Sequence, residues 1–386
     1  MLSTLTLISA LTVVTTSPLA ASWAATDGFR DPSFISFDPA RYQGMVNDQA
    51  RTPVFAKAIR QALSGREGEL VVLDIGTGPE ALLALIAARA GAKKVYAIEA
   101  QPEVAELARA AIEASVAAGE VPAGVVEVLE GFSTSLELPE KADLLVSEIV
   151  GSIASGEGVY ATMYDAQQRH LRAPHHPSSY IPLVVETLAA PMSYALHHPA
   201  LGPKGFDWEA VRTKGPPPRF PCNSRAVQAL AVPQRLECIR FHEPLPAPGS
   251  RLELTLAFEM CAERMRSAER DCFAELVAAG APEEAAAQVA AQVGCAVSGV
   301  GMWPRLVLDE AESLVIESRG ADGRAQRSHW QTVLPLLCAA PVRVNPGDIL
   351  SLHATIDLGA AIDIPVRYAL RGEIIHDEES ADDSRN

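Results

Sequence analysis

The sequence predicts an α/β domain built on an open sheet, followed by an antiparallel β-barrel or sandwich that carries a helical insertion. Three observations carry that expectation. Val71 to Ala100 reads as strand, glycine turn, helix and strand, one βαβ unit. Strand-like runs follow at Val125 to Leu129 and Asp143 to Ile149, with helical stretches at Pro102 to Ala118 and Val159 to Leu171 around them. From about Gln234 to Ile375, strand-like runs alternate with Pro and Gly turns, and only Ala262 to Val293 has helical composition. At 386 residues the chain is long enough for two domains with full cores.

In chain order, residues 1–25 carry no charge, contain the apolar run Leu5 to Val14 and pass into Ser22-Trp23-Ala24. This is an N-terminal extension, compatible with a signal peptide, although no Lys or Arg precedes the apolar run. Tyr42 to Leu63 has the period of an amphipathic helix, with a break expected before Pro53 because the residue preceding a proline disfavours helix. Pro102 to Ala118 is an Ala-rich helix with Pro in its first turn, and Val159 to Leu171 is a further helix. Tyr180 to Ala189 opens the β-rich half. Domain boundaries are therefore placed at 26–182, 183–376 with the insertion at 262–293, and an acidic disordered tail at 377–386. The Pro-rich run Lys214 to Pro221 reads as a linker or arm.

Apolar content of 48% and charged content of 21% are those of an ordinary soluble protein. The net charge of −16 tells against a nucleic-acid duplex, whose phosphates need Lys and Arg, and favours a basic partner. Six cysteines occur with no CxxC pair. They read as reduced thiols of an intracellular protein, cytoplasmic or nuclear, unless residues 1–25 direct it to a secretory or organellar route. No stretch approaches the roughly 18 apolar residues of a membrane span.

The chemistry-bearing residues lie where strands end. Asp74-Ile75-Gly76-Thr77-Gly78 turns out of the first strand, and Glu99 closes the second. In open α/β sheets a ligand sits at these carboxyl ends, where glycines admit close backbone approach and an acid can take two hydrogen bonds from a ribose diol. Asp74 places a negative charge beside the turn, which disfavours a pyrophosphate and suits a cationic nucleoside such as S-adenosylmethionine. After the strand at 143–149, Ser147-Glu148-Ile149-Val150-Gly151-Ser152-Ile153-Ala154-Ser155-Gly156-Glu157 places two glutamates in one loop facing the same crevice. General acid–base work, a metal site, a clamp for a cation and two solvated acids are the readings open to that pair. No His or Asp in the loop completes a metal set, whereas a guanidinium matches paired carboxylates through its planar fork of donors.

Four segments, in this order, resemble the protein arginine methyltransferase family: Met45-Val46-Asn47-Asp48-Gln49-Ala50-Arg51-Thr52, the turn from Asp74 to Glu99, the double-glutamate loop Ser147 to Glu157, and Ser328-His329-Trp330 in place of the family's Thr-His-Trp. The resemblance runs from about Arg41 to Ile375. It implies a Rossmann-like class I methyltransferase domain and a β-barrel, with S-adenosyl-L-methionine as cofactor and arginine in basic proteins, such as histone tails or Gly/Arg-rich segments, as substrate. Carried onto this chain, it implies that Asp74, Gly76 and Gly78 line the cofactor, that Glu99 holds its ribose and that Arg51 meets its carboxylate. Glu148 and Glu157 would bind the substrate guanidinium, Asp48 and His329 would pair at the rim, and Met45 and Trp330 would shape the arginine channel. The chain departs from the family at Pro79-Glu80, where a third glycine is usual. Met45 matches asymmetric-dimethylating members, the loop 147–154 the symmetric branch, and no helical arm for a homodimer is evident.

Overall fold

A computed structural model describes residues 19–25, 39–361 and 364–376. The tail 377–386 and residues 1–18 lie outside the described residues.

The first half is built on five parallel strands, in the spatial order Val126–Glu130, Lys94–Glu99, Val71–Ile75, Leu144–Ser147, Tyr180–Ile181. Val71–Ile75 is buried along its whole length, with its apolar residues packed at the centre of a two-sided sheet. The chain leaves this strand to build one side of the sheet, then returns to build the other. The switch point therefore lies between the carboxyl ends of Val71–Ile75 and Leu144–Ser147, where a crevice opens. Ile75 pairs directly with Ser147, so Gly76 and Glu148 leave the sheet side by side.

Two N-terminal helices, Pro39–Val46 and Thr52–Leu63, lead into this sheet. The break expected before Pro53 thus falls at residues 47–51. Thr52–Leu63 buries Phe55, Ala56, Ala58, Ile59 and Leu63 along one face, the helical period read from sequence.

Besides a short antiparallel pair, Ala296–Val297 with Val342–Arg343, the second half contains two large antiparallel sheets. One has the order Gln234–Arg240, Val184–Tyr194, Gly299–Val307, Gln331–Val333, Arg219–Pro221; the other runs Leu19–Ala24, Arg367–Ile375, Ile349–Asp357, Arg251–Glu259. Leu350, Leu352, Ala354 and Ile356 alternate inward along their strand and join a core shared with Val300 and Leu306 of the other sheet. Helices Ala262–Ala278 and Glu283–Gly294 form the hairpin expected at the insertion. No helix among the described residues is long and apolar enough to cross a membrane.

Two expectations are corrected. Residues 19–24 do not lie outside the fold: they pair with Arg367–Ile375, and Trp23 stacks on Tyr368 at 5.1 Å. Their small and apolar residues, which resemble a cleavage region in sequence, serve an edge strand. The Pro-rich run is likewise only partly a linker, because Arg219–Pro221 pairs with Gln331–Val333.

Candidate active site

The crevice is built from four segments far apart in sequence. The glycine turn is the first. Gly76 and Gly78 take φ of +75° and +67°, a region that disfavours any side chain. A Cβ on Gly76 would stand 2.7 Å from Ile149 Cγ2, and one on Gly78 would stand 2.9 Å from the Tyr42 ring. The turn is thus sandwiched between the glutamate loop and the first N-terminal helix. Ala81 holds the left-handed region at φ +44°.

Asp74 and Glu99 flank the turn, both buried. Asp74 Oδ2 accepts the Thr77 hydroxyl at 2.7 Å and the Ala84 amide at 3.1 Å, while Oδ1 is buried and meets no donor among the described residues. Burial raises Asp74 to about 7, despite those two bonds. Glu99 Oε2 accepts the Gly78 amide at 3.1 Å and Oε1 the Gln101 amide at 3.1 Å, which fixes the carboxylate and leaves lone pairs for a diol. Burial pushes it upward too.

Arg51 and Glu148 meet in the crevice. The sequence assigns them to different ligands; in the structure Arg51 Nε and Nη2 both donate to Glu148 Oε2, at 2.8 and 2.6 Å. The side chains are 4% and 3% exposed, so this is a buried ion pair, with Arg51 also 5.6 Å from the Phe55 ring centre one helical turn on. The Val150 amide holds Glu148 Oε1 at 3.2 Å. Glu157, in contrast, is exposed at the end of the loop, just before helix Val159–Arg169. The two glutamates therefore do not share one environment.

The fourth segment comes from the β domain. Asp48 Oδ2 accepts His329 Nδ1 at 2.8 Å, the His329 amide at 3.0 Å and the Ser328 hydroxyl at 3.2 Å, while Oδ1 takes the Ala50 amide at 2.9 Å. Burial opposes the charge of Asp48, but the bonds from His329 outweigh it and hold the carboxyl at about 2. Trp330 is buried, and its Nε1 donates to Val150 O at 2.8 Å, so it braces the glutamate loop from beneath. Met45 is half-buried and its carbonyl accepts the Asp48 amide at 3.2 Å.

Tyr42 escaped the sequence reading. Its ring covers Gly78, and burial, with the charge of Glu80 adding to it, pushes its hydroxyl up to about 12. The available signal was its position one helical turn before Met45. Among the described residues no group of three or more His, Cys, Asp or Glu side chains could hold a metal ion.

No family model matches the chain. A probable histone-arginine methyltransferase, 1.4, of Arabidopsis thaliana is 40% identical over 129 residues, 33% of this chain and 23% of that relative. Protein arginine N-methyltransferase PRMT10 of the same plant is 37% identical over 128 residues, 33% of this chain and 31% of the relative. The matched stretch thus spans less than a third of either relative's length. Among solved structures, the open conformation of Arabidopsis thaliana protein arginine methyltransferase 10 superposes with a TM-score of 0.58 at 19% identity, covering 89% of this chain and 98% of that one. The Trypanosoma brucei PRMT1 enzyme–prozyme complex gives 0.57 at 18% identity, covering 86% of this chain and 97% of that one. Those identities speak for the fold, a Rossmann-like methyltransferase domain joined to a β-barrel. Over that matched third, the chain is similar in sequence to protein arginine N-methyltransferases.

Proposed function

We propose that this protein transfers a methyl group from S-adenosyl-L-methionine to the guanidinium of arginine in basic proteins. One observation carries the reading: Glu148, at the switch point of the parallel sheet, already holds a guanidinium in a buried setting. A carboxylate that seats Arg51 there has the shape and charge to seat a substrate arginine.

The crevice fits the cofactor. Glu99 presents a fixed carboxylate for the ribose, the turn at Gly76 and Gly78 has no side chains to obstruct it, and the unpartnered Asp74 Oδ1 supports positive charge. Arg51 would take the carboxylate end. Bound there, S-adenosylmethionine supplies an electrophilic methyl on a sulfonium.

The residues of this chain would then act on the guanidinium. A guanidinium stays protonated throughout the physiological range, which makes it a poor nucleophile. Glu148, with Glu157 from the same loop, draws its charge to one edge and leaves the opposite nitrogen free to attack. As the N–C bond to the methyl forms, the methyl–sulfur bond would break and the neutral thioether would leave. The proton released from the attacking nitrogen would pass to a carboxylate of the loop or to water. Alignment supplies most of the acceleration, since well-oriented reactants gain roughly 7–11 kcal/mol. Asp48 fixes His329 at the rim, and Trp330 sets the loop's height. The acidic net charge steers in basic substrates such as histone tails or Gly/Arg-rich segments. Incubation with a histone tail and a glycine-arginine-rich peptide, with methylarginines resolved by mass spectrometry, tests this; methyl transfer to neither peptide would reject it.

The Arg51–Glu148 contact and the exposure of Glu157 also favour a second reading, a scaffold that binds basic peptides without transferring methyl. Calorimetry with S-adenosylhomocysteine separates the two, because the scaffold needs no cofactor affinity.

A further inference from the structure

Behind the glutamate loop, on the side away from the crevice, lies a polar cluster that the chemistry above does not use. Its centre is Glu237, on the strand Gln234–Arg240. Strict alternation would bury every second residue of that strand, yet Leu236 and Glu237 are both buried. The register with Val184–Tyr194 slips between Arg235 and Glu237, and this bulge turns the acid into the protein. Among the described residues no lysine or arginine pairs with it. Glu237 Oε2 instead accepts the Thr187 hydroxyl at 2.5 Å and Oε1 the Tyr368 hydroxyl at 2.8 Å.

Both hydroxyls are tied to the loop. Thr187 Oγ1 accepts the amide of Ala154 at 3.0 Å, and the hydroxyls of Tyr368 and Ser155 share a short hydrogen bond. Ser155, Thr187 and Tyr368 are each 1% exposed or less. Strands from both sheets of the β domain thus converge on two consecutive residues of the loop, between Glu148 and Glu157. A buried acid that collects hydroxyl donors fixes where each points, because unsatisfied polar groups there are costly.

We propose that Glu237 is a positioning residue that holds the glutamate loop in place from the β domain through Thr187 and Tyr368. It touches no substrate. The inference rests on the arginine-methylation reading for its catalytic consequence, but not for its structural one. Burial, which pushes the Glu237 carboxyl upward, is consistent with an acid kept for its hydrogen bonds and not for its charge.

The test uses the full chain with Glu237→Gln and Tyr368→Phe, which keep the volume of the buried group, beside Glu237→Ala. Three readouts are taken: amide hydrogen exchange, S-adenosylhomocysteine affinity, and kcat and KM on a glycine-arginine-rich peptide. In Tyr368→Phe and Glu237→Ala, exchange at Ala154 and Ser155 should quicken by about tenfold relative to Val72 and Leu73 of the parallel sheet. kcat/KM should fall by about tenfold or more while S-adenosylhomocysteine affinity stays within about threefold of wild type. Glu237→Gln, which keeps one acceptor, should fall between wild type and Glu237→Ala. Unchanged exchange at Ala154 and Ser155, or faster exchange with unchanged kcat/KM, overturns the proposal. If the wild-type protein methylates no peptide, the arginine reading falls, and exchange alone decides whether Glu237 positions the loop.

Discussion

Arg51 and Glu148 are separated by 97 positions and joined by two donor contacts of 2.8 and 2.6 Å, both partners nearly sealed from water. This pair ties the N-terminal helices to the end of the sheet. Removing one partner strands the other as a buried charge. Arg51→Ala should therefore cost roughly 3–5 kcal/mol of folding stability, read by urea denaturation. Glu148→Gln keeps an acceptor for Arg51 and should cost less, yet remove methyl transfer. A loss below about 1 kcal/mol in Arg51→Ala would show that the pair is wet in solution.

Asp48 links stability to pH. Its folded pKa, held at about 2 by His329 against an ordinary 3.8, is depressed. Its stabilisation is therefore fully present above pH 3.8 and fades as pH falls through about 2. The shift corresponds to about 2 kcal/mol near neutral pH. The gap in stability between wild type and Asp48→Asn should be open at pH 6 and should close by about pH 2. A gap independent of pH would assign the loss to packing alone.

Asp74 acts in the opposite sense. Burial raises its folded pKa from 3.8 to about 7, so the native chain holds a proton there that the unfolded chain has released. Its contribution makes the fold less stable as pH rises across that window, and Asp74→Asn should flatten that decline. A cationic ligand placed at Oδ1 would expel the proton. Titration of S-adenosylmethionine near pH 6.5, in buffers of different ionisation enthalpy, should show proton release in wild type and none in Asp74→Asn. Equal heats in all buffers would remove Asp74 from the cofactor's surroundings.

Two substitutions at the turn should diverge. Gly76→Ala adds a side chain at φ +75° and drives it to 2.7 Å from Ile149 Cγ2. It should cost about 2 kcal/mol or more and displace the loop that bears Glu148. Ala81→Gly relieves a residue at φ +44°. The roughly 1 kcal/mol gained from strain is largely offset by the looser unfolded chain, so its melting temperature should barely move. Thermal denaturation of both variants checks the contrast.

How much of this was legible follows from what each residue's neighbours are. The parallel sheet and its crevice were, because Val71–Leu73 is an apolar run and the turn behind the strand needs glycine. The pairing of Asp48 with His329 came through resemblance to a family and not through spacing, since 281 positions separate the two. Glu237 was invisible: a bulge reverses the direction that alternation assigns to it, and no residue near it in sequence announces a bulge. The strand Leu19–Ala24 was misread because small apolar residues serve an edge strand and a leader equally well. Tyr42 was missed because a half-buried aromatic on an amphipathic helix looks like core. The Arg51–Glu148 contact could not be read at all, for charge complementarity alone does not choose between a ligand and a neighbour.

The most direct measurement is methyl transfer by the purified wild-type protein and Glu148→Gln to a glycine-arginine-rich peptide, with S-adenosylhomocysteine binding measured on both. The account predicts methylarginine from wild type, no product from Glu148→Gln, and S-adenosylhomocysteine bound by each. Product from Glu148→Gln at a rate near wild type, or none from wild type despite bound S-adenosylhomocysteine, would contradict it.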